Sequence, residues 1–111
     1  MVKRLRFFPD DMADPFWDAD SGGTVALDYL PLRDDTRKAL RSWRDQWVVL
    51  VDRSIWAQAF KDGMSDRTPD PVSHEEWNLA ERGGRELFER VQAELGGNWR
   101  IEWEVVRLDE S

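Results

Sequence analysis

The chain has 111 residues, of which 41% are hydrophobic and 35% charged, which suits one folded domain, residues 1–111, rather than a disordered chain. It has no cysteine, so disulfides, thiolate metal sites and a cysteine nucleophile are excluded. A net charge of −7 opposes nucleic-acid phosphate and favours encounter with a basic protein. No apolar run is long enough to span a bilayer, and the opening MVKRLRFFPDD lacks the apolar core of a signal peptide. The cytoplasm is the expected location.

Val2 to Phe8 alternates, with Leu5 and Phe7 facing one way and Arg4 and Arg6 the other, which predicts a strand ended by Pro9. Asp10 to Thr24 is the longest irregular stretch, punctuated by Pro15 and Gly22–Gly23. Val25 to Leu27 is a candidate short strand. From Asp34 to Val51 the residues Thr36, Leu40, Trp43, Trp47, Leu50 and Val51 recur at steps of three and four, the period of one helix face. Ile55, Trp56, Ala59 and Phe60 suggest further turns after a kink near Asp52–Ser54.

Lys61 to Val72 reads as a connection, with Gly63, Pro69 and Pro71 against regular structure. A second helix opens at Ser73 with a capping box closed by Glu76. Its stripe is Trp77, Ala80, Gly84, Leu87, Phe88, Val91 and Leu95, and Gly96–Gly97 end it. Gly84 is in phase with the stripe, where it would make room for Trp43 or Trp47. Asn98 to Leu108 alternates again, with Trp99, Ile101, Trp103 and Val105 on one face and Arg100, Glu102 and Glu104 on the other. Arginines on the first strand and glutamates on the last predict that the two are neighbours. Counting strand, helix, helix, strand favours antiparallel pairing, which an intervening strand near Val25 or a wandering loop would reverse. The expected fold is α+β: an antiparallel helix hairpin on one face of a small, mainly antiparallel sheet made by the terminal strands.

Catalytic constellations are hard to find. His74 is the only histidine, with no second ligand or placed nucleophile. Glu102 and Glu104 are better explained as partners of Arg4 and Arg6 than as a hydrolytic pair. No phosphate loop, nucleophile elbow or zinc motif is present. The run Asp18-Ala19-Asp20-Ser21-Gly22 faintly resembles a calcium loop, but Tyr29 stands where the bidentate glutamate belongs, so a solvated loop is expected. No cofactor or metal is implied.

The candidate binding residues are in the acidic stretch: Asp10, Asp11, Asp14, Phe16, Trp17, Asp18 and Asp20. Two aromatics without periodic partners, set among five aspartates, suit a contact with a basic protein. The competing reading folds Trp17 back over one end of the core. Trp56 and Phe60 are expected to seal the far end of the hairpin. Arg37, Lys38, Arg41 and Arg44 form a basic flank that could pair with Glu81, Glu86 and Glu89.

Asp14-Pro15-Phe16-Trp17, Leu30-Pro31-Leu32, Ala39-Leu40-Arg41-Ser42-Trp43 with Trp47, and Trp99-Arg100-Ile101-Glu102-Trp103 occur in an order that resembles a group of small bacterial proteins. That group includes proteins regarded as immunity proteins, which neutralise a secreted toxin. The resemblance spans most of the chain, and its motifs are core and loop residues. It implies a binding protein, not an enzyme, with a toxin domain as partner. From the residues come an acidic inhibitor of a basic protein and two alternatives: a tryptophan-lined small-molecule pocket, and a self-associating subunit or homodimer.

Overall fold

The computed structural model describes residues 3–10, 13–59 and 70–109. Strand β1 is Lys3–Phe7, with Leu5 and Phe7 buried and Arg4 and Arg6 on the outer face. Strand β4 is Trp99–Trp103, shorter than the alternation through Leu108 suggested. Two strands that periodicity alone did not secure complete the sheet: β2, Phe16–Asp18, inside the stretch read as irregular, and β3, Thr24–Val25. The order is β3-β2-β1-β4.

Helix α1 is Asp34–Ala59 and helix α2 is His74–Leu95. α1 runs through Asp52–Ser54 to Ala59, so Ile55, Trp56 and Ala59 add the further turns expected to the same helix. The two helices share the core with Leu5, Phe7, Phe16 and Ile101 of the sheet. The indoles interlock within it. Trp43 stacks on Phe7 with centroids 5.3 Å apart, meets Trp47 at 5.4 Å, and Trp47 meets Trp77 edge-on at 5.1 Å. Gly84 makes room for Trp43, whose ring carbons lie where a Cβ on residue 84 would stand.

β1 and β4 are neighbours, and the diagonal ion pairs Arg4–Glu102 and Arg6–Glu104 form as their patterns foretold. Their pairing is parallel, not antiparallel. The β2–β3 hairpin adds two reversals and leaves the count unchanged, so the cause is the segment after it. Val25 lies opposite Phe16, which lies opposite Phe7, so β3 ends level with the end of β1. Residues 26–33 then return to the start of β1, where Tyr29 and Leu30 meet Lys3 and Arg4 around one pocket. α1 therefore begins at the bottom and runs alongside β1; α2 descends, and β4 ascends.

The basic flank of α1 also departs from expectation. Arg37 donates to the carbonyls of Leu27 (3.1 Å) and Leu30 (2.8 Å), and Arg41 and Arg44 turn to Asp14. The N-terminal segment lies on that flank, where α2 was expected. Trp56 is 55% exposed and does not seal the hairpin end; Phe60 lies outside the described residues.

Ser73 and Glu76 close the capping box at the start of α2. Hydrogen bonds from Arg53 and from the Ser73 N–H hold the Glu76 carboxyl down at about 2. Arg107 and His74 likewise hold Asp109 at about 2, tying the C-terminal tail to α2. Both carboxyls are depressed in the folded state. Their contribution is therefore complete above the ordinary carboxylate range and is lost as pH falls towards about 2. Urea midpoints should stay level from neutral pH to about 4.5, then fall steeply. The double variant E76Q/D109N should flatten that acid limb.

Candidate functional site

The structure disperses the acidic stretch. Phe16 has no exposed surface; it faces the helices and meets Phe7 at 5.2 Å. Asp14 turns inward, its side chain 14% exposed. Its Oδ2 accepts from the Leu27 N–H at 2.9 Å, while Arg41 and Arg44 reach Oδ1 at 3.3 and 3.5 Å. Burial pushes this carboxyl up, but the Arg41 and Leu27 hydrogen bonds and the two guanidinium charges hold it below its ordinary value. Asp14 is thus the clasp between the N-terminal segment and α1.

Asp18 accepts from the backbone N–H groups of Asp20 (2.8 Å) and Ser21 (3.2 Å), which hold its carboxyl below the usual range. It shapes the β2–β3 turn, and Asp20 stands exposed on that turn beside Arg4. Asp10 forms a backbone bridge with Ala13 at the other end of the hairpin. Asp11 lies outside the described residues. Among the described residues, no group of three or more His, Asp or Glu could hold a metal ion.

Trp17 lies on the outer face of the sheet, opposite Arg6. Its ring stacks on Phe8 at 4.7 Å, only 2° from parallel, and its Nε1 donates to the Phe8 carbonyl at 3.2 Å. The Arg6 guanidinium stands 5.8 Å from the Phe8 ring. The half-buried indole is therefore held rigid with part of its surface in solvent, neither loose in a loop nor folded into the core.

Beside this stack a groove of about 400 Å³ opens between α1 and the upper ends of β1 and β4. Trp47, Val48, Val51, Val106 and Phe8 give it an apolar lining. Three acidic residues from separate parts of the chain, Asp10, Asp52 and Glu104, also line it. Asp52 is exposed and has no ion pair among the described residues, while Glu104 is held by Arg6. Sequence reasoning singled out Asp10 but missed Asp52 and Phe8. Asp52 could have been found from its place one helical turn past Val48, beside the apolar stripe. Long-range pairing brings Glu104 there, which no local pattern announces.

A model of the Serratia CdiI immunity protein-like family matches residues 3–105, from the first residue of β1 to just past β4. The chain belongs to that family. No curated protein matches it. Membership in an immunity protein-like family supports the role of toxin inhibitor in general terms, and such families are generally non-enzymatic. The matched segment includes Phe8, Asp10, Trp17, Trp47, Asp52 and Glu104, so most of the groove lies within the family frame. No helix among the described residues is long and apolar enough to cross a membrane.

Proposed function

We propose that this CdiI immunity protein-like chain is a non-enzymatic inhibitor that seats a basic surface of its toxin on the groove and on the adjoining Trp17. The observation that carries this reading is the groove itself: an apolar lining that includes three acidic residues, next to a rigid half-exposed indole. A lysine or arginine could lay its methylene stem on the half-buried Val48 and Val51 and bring its charge to Asp10, Asp52 and Glu104. Trp17 would supply an aromatic anchor whose conformation is fixed before binding. The net charge of −7 would speed approach of a basic partner. A toxin could be neutralised in this way by occlusion alone. The buried indoles Trp43, Trp47 and Trp77 pack ring against ring, which takes support from the alternative of a tryptophan-lined ligand pocket between helices and sheet.

The test begins with capture of the partner from the source cell and its identification by mass spectrometry. Binding of that partner is then measured against D10K/D52K at two salt concentrations. Association should slow by roughly tenfold or more, with a shallower salt dependence. Asp52 is exposed and Asp10 half-buried, so a thermal melt of the variant serves as the control for loss of fold. Unchanged association and salt slope would remove the groove from the interface. Recovery of an acidic partner alone would remove the electrostatic reading.

A further inference from the structure

β4 is the open edge of the sheet, since β1 lies on one side of it and no described strand on the other. A five-residue edge without proline or bulge is a template for another strand, and natural folds cover or charge such edges. Lys3 N–H donates to the Asn98 carbonyl and Glu104 N–H to the Phe7 carbonyl. In a parallel pair this turns the backbone groups of residues 98, 100, 102 and 104 towards β1. Those of Trp99, Ile101 and Trp103 face the edge.

One side chain occupies that edge. The Gln92 Nε2 donates to the Trp99 carbonyl at 2.9 Å, and the Ile101 N–H donates to Gln92 Oε1 at 3.3 Å. A carboxamide has the same donor and acceptor as a peptide unit, so Gln92 stands where a residue of a further strand would stand. It reaches there from α2, just before the helix ends at Leu95.

We propose that the outer edge of β4 is a strand-pairing surface for a second copy of this chain, gated by the Gln92 carboxamide. The self-complementary register is antiparallel about Ile101. Trp99 of one copy falls opposite Trp103 of the other; Ile101 and Trp103 can then exchange backbone hydrogen bonds with the facing strand, and the Trp99 N–H joins them once it leaves the Gly96 carbonyl, to which it donates at 3.3 Å. In the same register Arg100 falls opposite Glu102 on both sides of the axis, in the closely spaced non-hydrogen-bonded pairs. Arg100 is exposed and has no ion pair among the described residues, while Glu102 is held by Arg4 at 2.7 Å and keeps a second oxygen. The charge pattern of the outer face therefore favours this register and puts like charges together in a parallel one. The surface is separate from the toxin-facing groove and does not depend on it.

Sedimentation equilibrium of wild type and Gln92→Met over a wide concentration range tests the gate. Methionine keeps the length and bulk of the side chain and removes both hydrogen bonds. Self-association of the variant should be about tenfold tighter or more, because the strand no longer displaces a competitor. In dilute, monomeric Q92M the Ile101 amide should exchange its hydrogen faster than in wild type. Arg100→Glu in the Q92M background should abolish association, and R100E/E102R should restore it. If Q92M fails to fold, Gln92→Glu keeps the acceptor for Ile101, loses the donor to Trp99, and should shift association the same way. A folded gate variant with wild-type mass at every concentration overturns the proposal. So does association that ignores the Arg100 reversal.

Discussion

Phe16→Ala should destabilise the protein by about 3–5 kcal/mol, the usual cost of emptying a buried phenylalanine site. Its ring has no exposed surface and packs at 5.2 Å on Phe7, which itself stacks on Trp43 and tilts against Phe88 and Trp103. Removing it leaves a void at the centre of an aromatic cluster whose members are fixed by one another. The melting temperature should fall by on the order of 15 °C or more for a domain of this size. Trp17→Ala, one residue along, should behave differently. It loses the Phe8 stack and one indole hydrogen bond on the outer face, about 1–2 kcal/mol together, and leaves the core untouched. Binding to the toxin should weaken markedly in the Trp17 variant. Urea unfolding paired with calorimetric binding for the two variants separates the roles. A Phe16 variant of normal stability would mean that the hairpin β2 is not docked as described.

The neighbours Phe16 and Trp17 show where sequence reasoning stops. Both are aromatics in an acidic stretch without helical period, and that stretch looked like one docking loop. The deciding fact is that three of its residues form a strand beside β1, and alternation then sends adjacent side chains to opposite faces. Three residues are too few to show a period. The helices were legible because their stripes run for many turns, and the Ser73–Glu76 box because capping is local chemistry. The Arg4–Glu102 and Arg6–Glu104 pairs were legible from charge pattern alone, and they correctly made the terminal strands neighbours. Strand direction was not legible, because it depends on how residues 26–33 travel, and Arg37 fixes that path through two backbone carbonyls. Asp14 is the same lesson in electrostatics. Five aspartates close in sequence suggested one negative surface, yet of the four described, one is locked under two arginines of α1, one builds a turn, one stands exposed on that turn, and Asp10 alone lines the groove.

Gly84→Ala should be the second large effect, and its sign is set by a competition. Alanine in a helix interior is worth about 1 kcal/mol over glycine. A Cβ at residue 84 would stand 2.5 and 2.8 Å from two ring carbons of Trp43 and 3.1 Å from Trp103. The Trp43 indole has nowhere to go: it stacks on Phe7, presses on Trp47, and donates its Nε1 hydrogen to the Ala80 carbonyl at 2.7 Å. Overpacking against a ring held on three sides typically costs about 1–3 kcal/mol, so the clash outweighs the helix gain. Gly83 is the internal control. There a Cβ would meet Trp43 at an ordinary 3.7 Å, and Gly83→Ala should stabilise by up to about 1 kcal/mol. Opposite shifts in urea midpoint for two adjacent glycines would locate the contact between the helices at Gly84. Equal stabilisation of both would place Trp43 elsewhere, and with it the packing that holds α1 beside the groove.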